Sequence, residues 1–426
     1  MKRKNPRYQA YIDILREELI PAMGCTEPIA IAYAAARARA LLGCLPERVR
    51  VTASSNIIKN VKSVVVPNTG GLRGMEASAI AGIIAGREDR ALEVLTAIDD
   101  QQRQQIKHFL ATREVTVSAS TSGLVFDLAV TVAAGEQSAS VQISHYHTNI
   151  VRMTKNGLEV YRNQDCDEVG AVPLTDRAML NVRDILAFAD AVDLATIEDL
   201  LQAQIDHNMA IAEEGLRGDW GANIGSVLLA TWGDDVKIRA KALAAAASDA
   251  RMSGCDLPVM ITAGSGNQGI TASVPVVVYA RELGASREEL LRALIVSNLV
   301  TIHQKTGIGR LSAYCGAVSA ACGAAAGIAF LHGGRFEDVA HTVVNALATV
   351  SGMVCDGAKP SCAGKIAVAM DAALLGYAMY RHGQQFYGGD GLVTKGVENT
   401  IENMGRLGRE GMRETDREII RIMLGS

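Results

Sequence analysis

From residue 176 onward, apolar residues recur at three- and four-residue intervals. The segments are VRDILAFADAV, IEDLLQAQIDHNMAIAEEGL, VKIRAKALAAAASDARM, LLRALIVSNLVTIHQ, FEDVAHTVVNALATV and KIAVAMDAALLGYAMY. That spacing turns one face of a helix toward a core. Gly-rich breaks separate them: MITAGSGNQGI (260–270), KTGIGR (305–310) and SGMVCDGAKPSC (351–362). The pattern predicts an all-helical region whose loops carry the unusual residues. Before residue 176 the period changes. RVRVTASS (48–55) alternates apolar and polar residues, and KSVVVPNTGG (62–71) is a β-branched run closed by Pro67, Asn68 and two glycines. GMEASAIAGIIAG (74–86) reads as helix. VTVSAST (115–121), LVFDLAVTVAAG (124–135) and SASVQISHYHTNIVRM (138–153) read as successive antiparallel strands. The N-terminal MKRKNPRYQAYIDILREEL reads as a helix with Tyr11, Ile14, Leu15 and Leu19 on one face. The predicted fold class is α+β. A helical segment (1–45) packs on the C-terminal domain, an α+β domain with an antiparallel sheet spans 46–170, and an all-helical domain spans 171–426. The sheet is expected within 48–155.

Charge and composition narrow the function. Lys+Arg 42 against Asp+Glu 46 gives a net charge of −4 and a pI near 6.1. No electrostatic pull toward nucleic acid or an acidic membrane is expected from that balance. At 4% aromatic residues, base-stacking surfaces are disfavoured too. Asp13, Arg16, Glu17 and Glu18 interrupt the N-terminal segment, so no signal peptide is expected. The longest uncharged stretches, such as CGAVSAACGAAAGIAFLHGG (315–334), are Ala and Gly, suited to tight helix packing more than to lipid. The expectation is a cytoplasmic protein without a membrane span. Helix faces of Ala and Gly are compatible with a homodimer.

Eight cysteines remain: Cys25, Cys44, Cys166, Cys255, Cys315, Cys322, Cys355 and Cys362. In a cytoplasmic chain they are metal ligands, catalytic thiols or small buried residues rather than disulfides. Cys25 lies in PAMGCTEP, just before a helix that Pro28 is placed to begin, with Thr26 as a candidate cap. A thiol there meets the positive end of the helix dipole, which favours the thiolate. Cys355 and Cys362 flank a Gly–Pro loop into which an inorganic cluster could fit. Cys315 and Cys322 are also seven apart, but a helix between them would separate them by about 10 Å, so Cys322 reads as a packing residue. Cys44, Cys166 and Cys255 lack ligand-like neighbours. Zinc sites favour CxxC pairs or interleaved histidines, absent here. His145 and His147 read as an HxH on one face of a half-buried strand. Spacing alone leaves a cluster and separate free thiols both open.

PAMGCTEPIAIAYAAA, SSNIIKNVKSVVVPNTGG, GSGNQGI and the trio Cys315, Cys355, Cys362 together resemble the UPF0597 / L-cysteine desulfidase family. That family is related to the alpha chain of iron–sulfur L-serine dehydratases. The resemblance runs from about residue 8 to residue 420. It implies a [4Fe–4S] cluster held by Cys315, Cys355 and Cys362. It also implies pyruvate-forming β-elimination from a small amino acid, with Cys25 as the proton-abstracting base or a reversible fourth iron ligand. Unlike the dehydratases, the chain ends REIIRIMLGS, so no C-terminal cysteine is expected to reach the site. Ser265, Asn267 and Gln268 of GSGNQG are candidates to cradle the substrate carboxylate. Asn68 of PNTGG is a further polar candidate, and Lys305, Arg310 and Lys359 are cationic ones. The leaving group, thiol or hydroxyl, is not legible. A thiol- or cluster-based redox sensor is an alternative that leaves the Gly-rich cradle unused. A pyridoxal-phosphate lyase lacks a distinctive Schiff-base lysine context and leaves the cysteine trio unexplained.

Overall fold

A computed structural model describes residues 1–163 and 174–424. Cys166 lies outside the described residues, as does the boundary expected near residue 170. The strands are β1 (Pro21–Met23), β2 (Arg48–Ala53), β3 (Glu114–Ala119), β4 (Asp127–Ala134), β5 (Gln137–Ser144), β6 (Ile150–Lys155), β7 (Leu158–Arg162) and β8 (Pro258–Met260). The fold class is α+β, with a six-stranded sheet in the first half and helices dominating the second.

The sheet has the order β3-β2-β4-β5-β6-β7. It is mixed, because β2 pairs β3 in parallel. A parallel pair needs a crossover, and the segment between β2 and β3 supplies it with three helices, Ser55–Val61, Gly74–Ala85 and Asp100–Thr112. KSVVVPNTGG does not form a strand. Asn68, Gly70 and Gly71 adopt positive φ, and the run turns back on itself through a single bridge between Val65 and Arg73. The expected strand 138–153 is two strands, with His145 and His147 in the turn between them. Leu128, Val130, Val132, Val141 and Ile143 bury one face of the sheet. The helix Thr26–Leu42 packs on β4 and β5 and on Gly74–Ala85. That second contact requires a glycine: a Cβ at Gly82 would stand 2.1 Å from the Ala32 carbonyl oxygen.

At the centre of the second half lies the helix Gly316–Leu331, buried from Ala317 through Ala329. It packs between Gly266–Leu283, Arg287–Ile308, Phe336–Val350 and Cys362–Arg381. Its small residues let neighbouring backbones close in. A Cβ at Gly323 would sit 2.1 Å from Thr301 Oγ1, and one at Gly327 would sit 2.7 Å from the Ala293 carbonyl oxygen. Among the described residues one helix, Cys362–Arg381, is long and apolar enough to cross a membrane. Here Ala363, Ile366, Ala369, Met370 and Ala373 pack it into the helical layer.

Among the contacts that join the halves, two flank the site. Strand β1 pairs antiparallel with β8, Pro21 opposite Met260 and Met23 opposite Pro258. The helix Arg413–Leu424 docks on Ser55–Val61, where buried Lys59 meets Asp416 at 2.5 Å.

Candidate functional site

The β1–β8 pairing sets the site. Cys25 follows β1 by two residues and GSGNQG follows β8 by four, so both loops emerge on the same side. Each starts a helix. Cys25 is the N-cap of Thr26–Leu42, and Ser265 is the N-cap of Gly266–Leu283. Cys315 is the N-cap of Gly316–Leu331, and Cys362 is the first residue of Cys362–Arg381. Four helix N-termini therefore converge on one half-enclosed cavity, with about 780 Å³ of atom-free space including its mouth. Their dipoles favour negative charge inside it.

Local backbone bonds place the remaining cysteine. The Cys315 amide donates to the Met353 carbonyl (3.0 Å), and the Cys355 amide donates to the Ala313 carbonyl (2.6 Å). This short ladder lines Cys355 up beside Cys315. Gly357 bends the loop with φ +94, and its missing Cβ lets the loop approach the Lys59 carbonyl oxygen, which a Cβ would meet at 2.8 Å. Cys25, Cys315, Cys355 and Cys362 all line the cavity, with Ser265, Asn267, Gln268 and Lys305. Gln268 Oε1 is buried without a hydrogen-bond partner among the described residues. Asn267 Oδ1 accepts from Arg251 Nη1 at 3.1 Å, and Ser265 makes no side-chain cap bond to its own helix. The glycines of GSGNQG serve close packing: Gly264 has φ +81, and a Cβ at Gly269 would lie 2.0 Å from the Met260 carbonyl oxygen.

Asn68 and Lys359 are the exceptions among the sequence candidates. Neither lines the cavity; the Asn68 side-chain amide donates to the Leu95 carbonyl (2.9 Å). The PNTGG turn serves the site from behind instead. Pro67 lies against Gly24, where a Cβ would come within 2.2 Å of the proline ring. Cys322 is fully buried in its helix, away from the cavity lining. Cys255 is buried, and Cys44 is exposed.

The expectation that the helix dipole makes Cys25 a resting thiolate is overturned. Burial pushes its thiol well above the ordinary value, and the neighbouring Glu27 charge adds to the rise. Cys25 Sγ donates to Glu27 Oε2 at 3.0 Å. Glu27 also accepts from Thr26 Oγ1 (3.1 Å) and, on its other oxygen, from Asn60 Nδ2 (2.8 Å). Burial alone would raise the Glu27 carboxyl, but the neighbouring His147 imidazole, Cys25 and Asn60 outweigh it and hold it well below the usual carboxylate range. His147 is buried edge-on against Phe126, with Nε2 3.9 Å from Glu27 Oε1. Sequence reading missed Glu27, Lys59, Asn60, Arg251 and Lys365, and it read His147 as part of a strand face instead of as the neighbour of Glu27. Only Glu27 carried a signal, its place two residues after Cys25 in GCTEP.

Cations crowd the same space: Lys59, Arg251, Lys305, Arg310 and Lys365 line it, with Glu27 the one carboxylate in the lining among the described residues. Lys59 and Lys365 are balanced by Asp416 and Asp356, and Arg310 by Glu18. Lys305 is buried and makes no ion pair among the described residues. Burial brings its ammonium down to about 8, against an upward pull from Cys355 and Cys315. Burial lifts the Cys315 thiol to about 12, with the proximity of Cys355 adding to it, and raises Cys362. Burial thus outweighs the nearby cations, Lys365 for both thiols and Arg251 for Cys362.

Among the described residues, no three His, Cys, Asp or Glu side chains are grouped to hold a single metal ion. The donor set does fit a cluster. Each thiolate of a cluster binds a different iron, so the sulfurs ring a cavity instead of meeting at a point. Converging helix dipoles and surplus cations favour the anionic thiolate–cluster assembly that burial alone would penalise.

The family model described as serine dehydratase alpha chain matches residues 89–421. A UPF0597 protein of Desulfitobacterium hafniense is 58% identical, covering 100% of this chain and 98% of its own length. UPF0597 proteins of Lachnoclostridium phytofermentans and Treponema denticola are 50% and 47% identical, each covering 98% of this chain and 100% and 98% of their own lengths.

Proposed function

The chain belongs to the UPF0597 family and carries a serine dehydratase alpha chain domain, and from that premise we propose that it is an iron–sulfur-dependent lyase. Its substrate is L-cysteine, which it converts with water to pyruvate, ammonia and sulfide. The observation that carries this reading is the convergence of four helix N-termini, four cysteines and an unpaired buried lysine on one cavity.

Cys315, Cys355 and Cys362 would hold a [4Fe–4S] cluster, which when bound supplies an open, Lewis-acidic iron for the departing β-group. The chain's own residues do the rest. Lys305 and the N-terminus of Gly266–Leu283, with Ser265 and Gln268, bind the substrate carboxylate. The Cys25 sulfur moves the Cα proton. Loss of the β-group leaves aminoacrylate, which hydrolyses to pyruvate and ammonia. Burial of Cys25, Cys315 and Lys305 keeps bulk water from this chemistry. L-serine is the second substrate to weigh, because the matched family model is described as a serine dehydratase.

The test is product release by iron- and sulfide-reconstituted protein under anaerobic conditions. L-cysteine is expected to give pyruvate and sulfide together. Pyruvate from L-serine alone would move the assignment to the hydroxyl substrate. No pyruvate from either, with iron bound, would refute a lyase.

A further inference from the structure

A second cavity lies directly beside the first, with about 1100 Å³ of atom-free space including its mouth. The two share one strip of wall, Arg310, Leu311 and Ser312. An ion pair also spans them: Lys59 lines the inner cavity, and its partner Asp416 lines the outer one. Among the described residues, none that lines the inner cavity is exposed. The outer cavity opens to water at Leu124 (39% exposed), Val125 (52%), Arg409 and Arg413. Exposure thus falls from the outer mouth, across the half-buried strip, to buried Lys305 and Cys25. The strip is pinned from outside: Ser312 Oγ donates to the Gly408 carbonyl (2.8 Å), and Arg409 Nη1 donates to the Gly307 carbonyl (2.7 Å).

The outer cavity also carries the charge that draws a carboxylate. Asp416 is the one carboxylate in its lining among the described residues, and its charge is spent on Lys59. Arg310, Arg409 and Arg413 remain. A cleft lined by one sign of charge raises the local concentration of the opposite ion. Arg310 sits at the threshold. Its Nη2 donates to buried Glu18 at 2.8 Å. Its Nη1 makes no hydrogen bond among the described residues and lies beside the GSGNQG loop, where a Cβ at Gly264 would stand 3.0 Å away. A guanidinium fixed through one nitrogen and open at another is pre-set to take a carboxylate.

We propose that the outer cavity is the entrance by which the amino-acid substrate reaches the catalytic cavity, and that Arg310 selects its carboxylate at the threshold. The identity of the substrate rests on the lyase reading above, and the route rests on the geometry of the two cavities. The carboxylate meets Arg310 first and passes to Lys305, deeper in the inner cavity.

The experiment narrows the mouth and removes the threshold charge separately. In cluster-free protein, alkylation of Cys355 is followed by peptide mass spectrometry, with exposed Cys44 as internal reference. Two reagents are compared, neutral iodoacetamide and iodoacetate, a small carboxylate. The double variant Leu124→Trp, Val125→Trp sets two rings at the exposed mouth. It should slow both reagents at Cys355 roughly tenfold or more and leave Cys44 unchanged, because entry then waits on a local opening of the fold. A substitution that merely loosened the structure would speed labelling instead. Arg310→Gln should lower the iodoacetate rate relative to the iodoacetamide rate by about fivefold, the weight of one unit charge at about 4 Å in water. The ratio cancels any change in the thiol itself, and the effect should shrink in about 1 M salt, where charges are screened within about 3 Å. In iron-loaded protein, Arg310→Gln should lose roughly tenfold or more in kcat/KM with L-cysteine. Unchanged or faster labelling in the double variant overturns the entrance, and an unchanged ratio in Arg310→Gln overturns the role of Arg310. Should Arg310→Gln fail to fold, Arg310→Lys decides: a raised KM for L-cysteine supports the guanidinium fork, and a parent KM refutes it. If the parent chain itself turns over neither L-cysteine nor L-serine, the lyase reading fails, while the labelling still judges the entrance.

Discussion

Lys305 is buried against the three-cysteine wall without an anionic partner among the described residues, which is a costly place for an ammonium unless a ligand brings a carboxylate. Lys305→Met is therefore expected to keep the fold and lose roughly 10–100-fold in kcat/KM, mostly through KM. That range is what a lost hydrogen bond to a charged group, about 1.5–3 kcal/mol, predicts. Steady-state kinetics with L-cysteine check it, and an unchanged KM would remove Lys305 from the carboxylate site. At this scale the sequence was legible where chemistry and spacing coincide. The cysteines at 25, 315, 355 and 362, GSGNQG and Lys305 all reach one cavity. It misled where burial decides. A helix start favours a thiolate in water, but the fold seals Cys25 in and sets a carboxylate beside it. Asn68 misled because PNTGG looked like a binding loop, and its turn instead buttresses Gly24.

At the scale of elements, the site is a meeting of helix starts held in place by close backbone packing. Gly269→Ala would drive a Cβ into the Met260 carbonyl, displacing β8 and the loop before it. Overpacking of this kind costs about 1–3 kcal/mol, and the thermal midpoint should fall by several degrees. The sheet offers a pH test. Asp127 accepts from Ser120 (2.5 Å), Gln142 (2.8 Å) and Ser144 (2.8 Å). Burial pulls its carboxyl upward, but these bonds together hold it below its ordinary value. A depressed carboxyl stabilises the fold above its unfolded pKa of about 3.9 and loses that contribution as pH falls through the folded value. Asp127→Asn should thus be less stable than wild type at pH 7, and the gap should narrow on acidification below about pH 4, as read by urea melts. The periodicity that revealed the helices could not reveal the parallel β2–β3 pair, because alternation fixes a strand's faces and not its neighbour's direction. Nor could it show that Val64–Val66 would turn back at Pro67, a choice made by three positive-φ positions in a row of five residues.

For the whole molecule, the cavity depends on two distant joints, β1 on β8 and the C-terminal helix on Lys59. Neither was legible: three-residue strands carry no periodicity, and an ion pair between residues 59 and 416 leaves no local mark. Asp416→Ala strands a buried ammonium that lines the site, so a loss of about 3 kcal/mol or more is expected in equilibrium unfolding. A change below about 1 kcal/mol would show that the C-terminal helix does not brace the cavity. The central claim is that the cysteines on the cavity wall hold an iron–sulfur cluster. Its most direct test is iron content, with the visible spectrum, of anaerobically reconstituted protein. The parent chain and Cys322→Ser should each carry about four irons and absorb broadly in the visible. Cys315→Ser, Cys355→Ser and Cys362→Ser should each lose both. Full iron and colour in any one of those three, or colourless parent protein after reconstitution, would contradict the account.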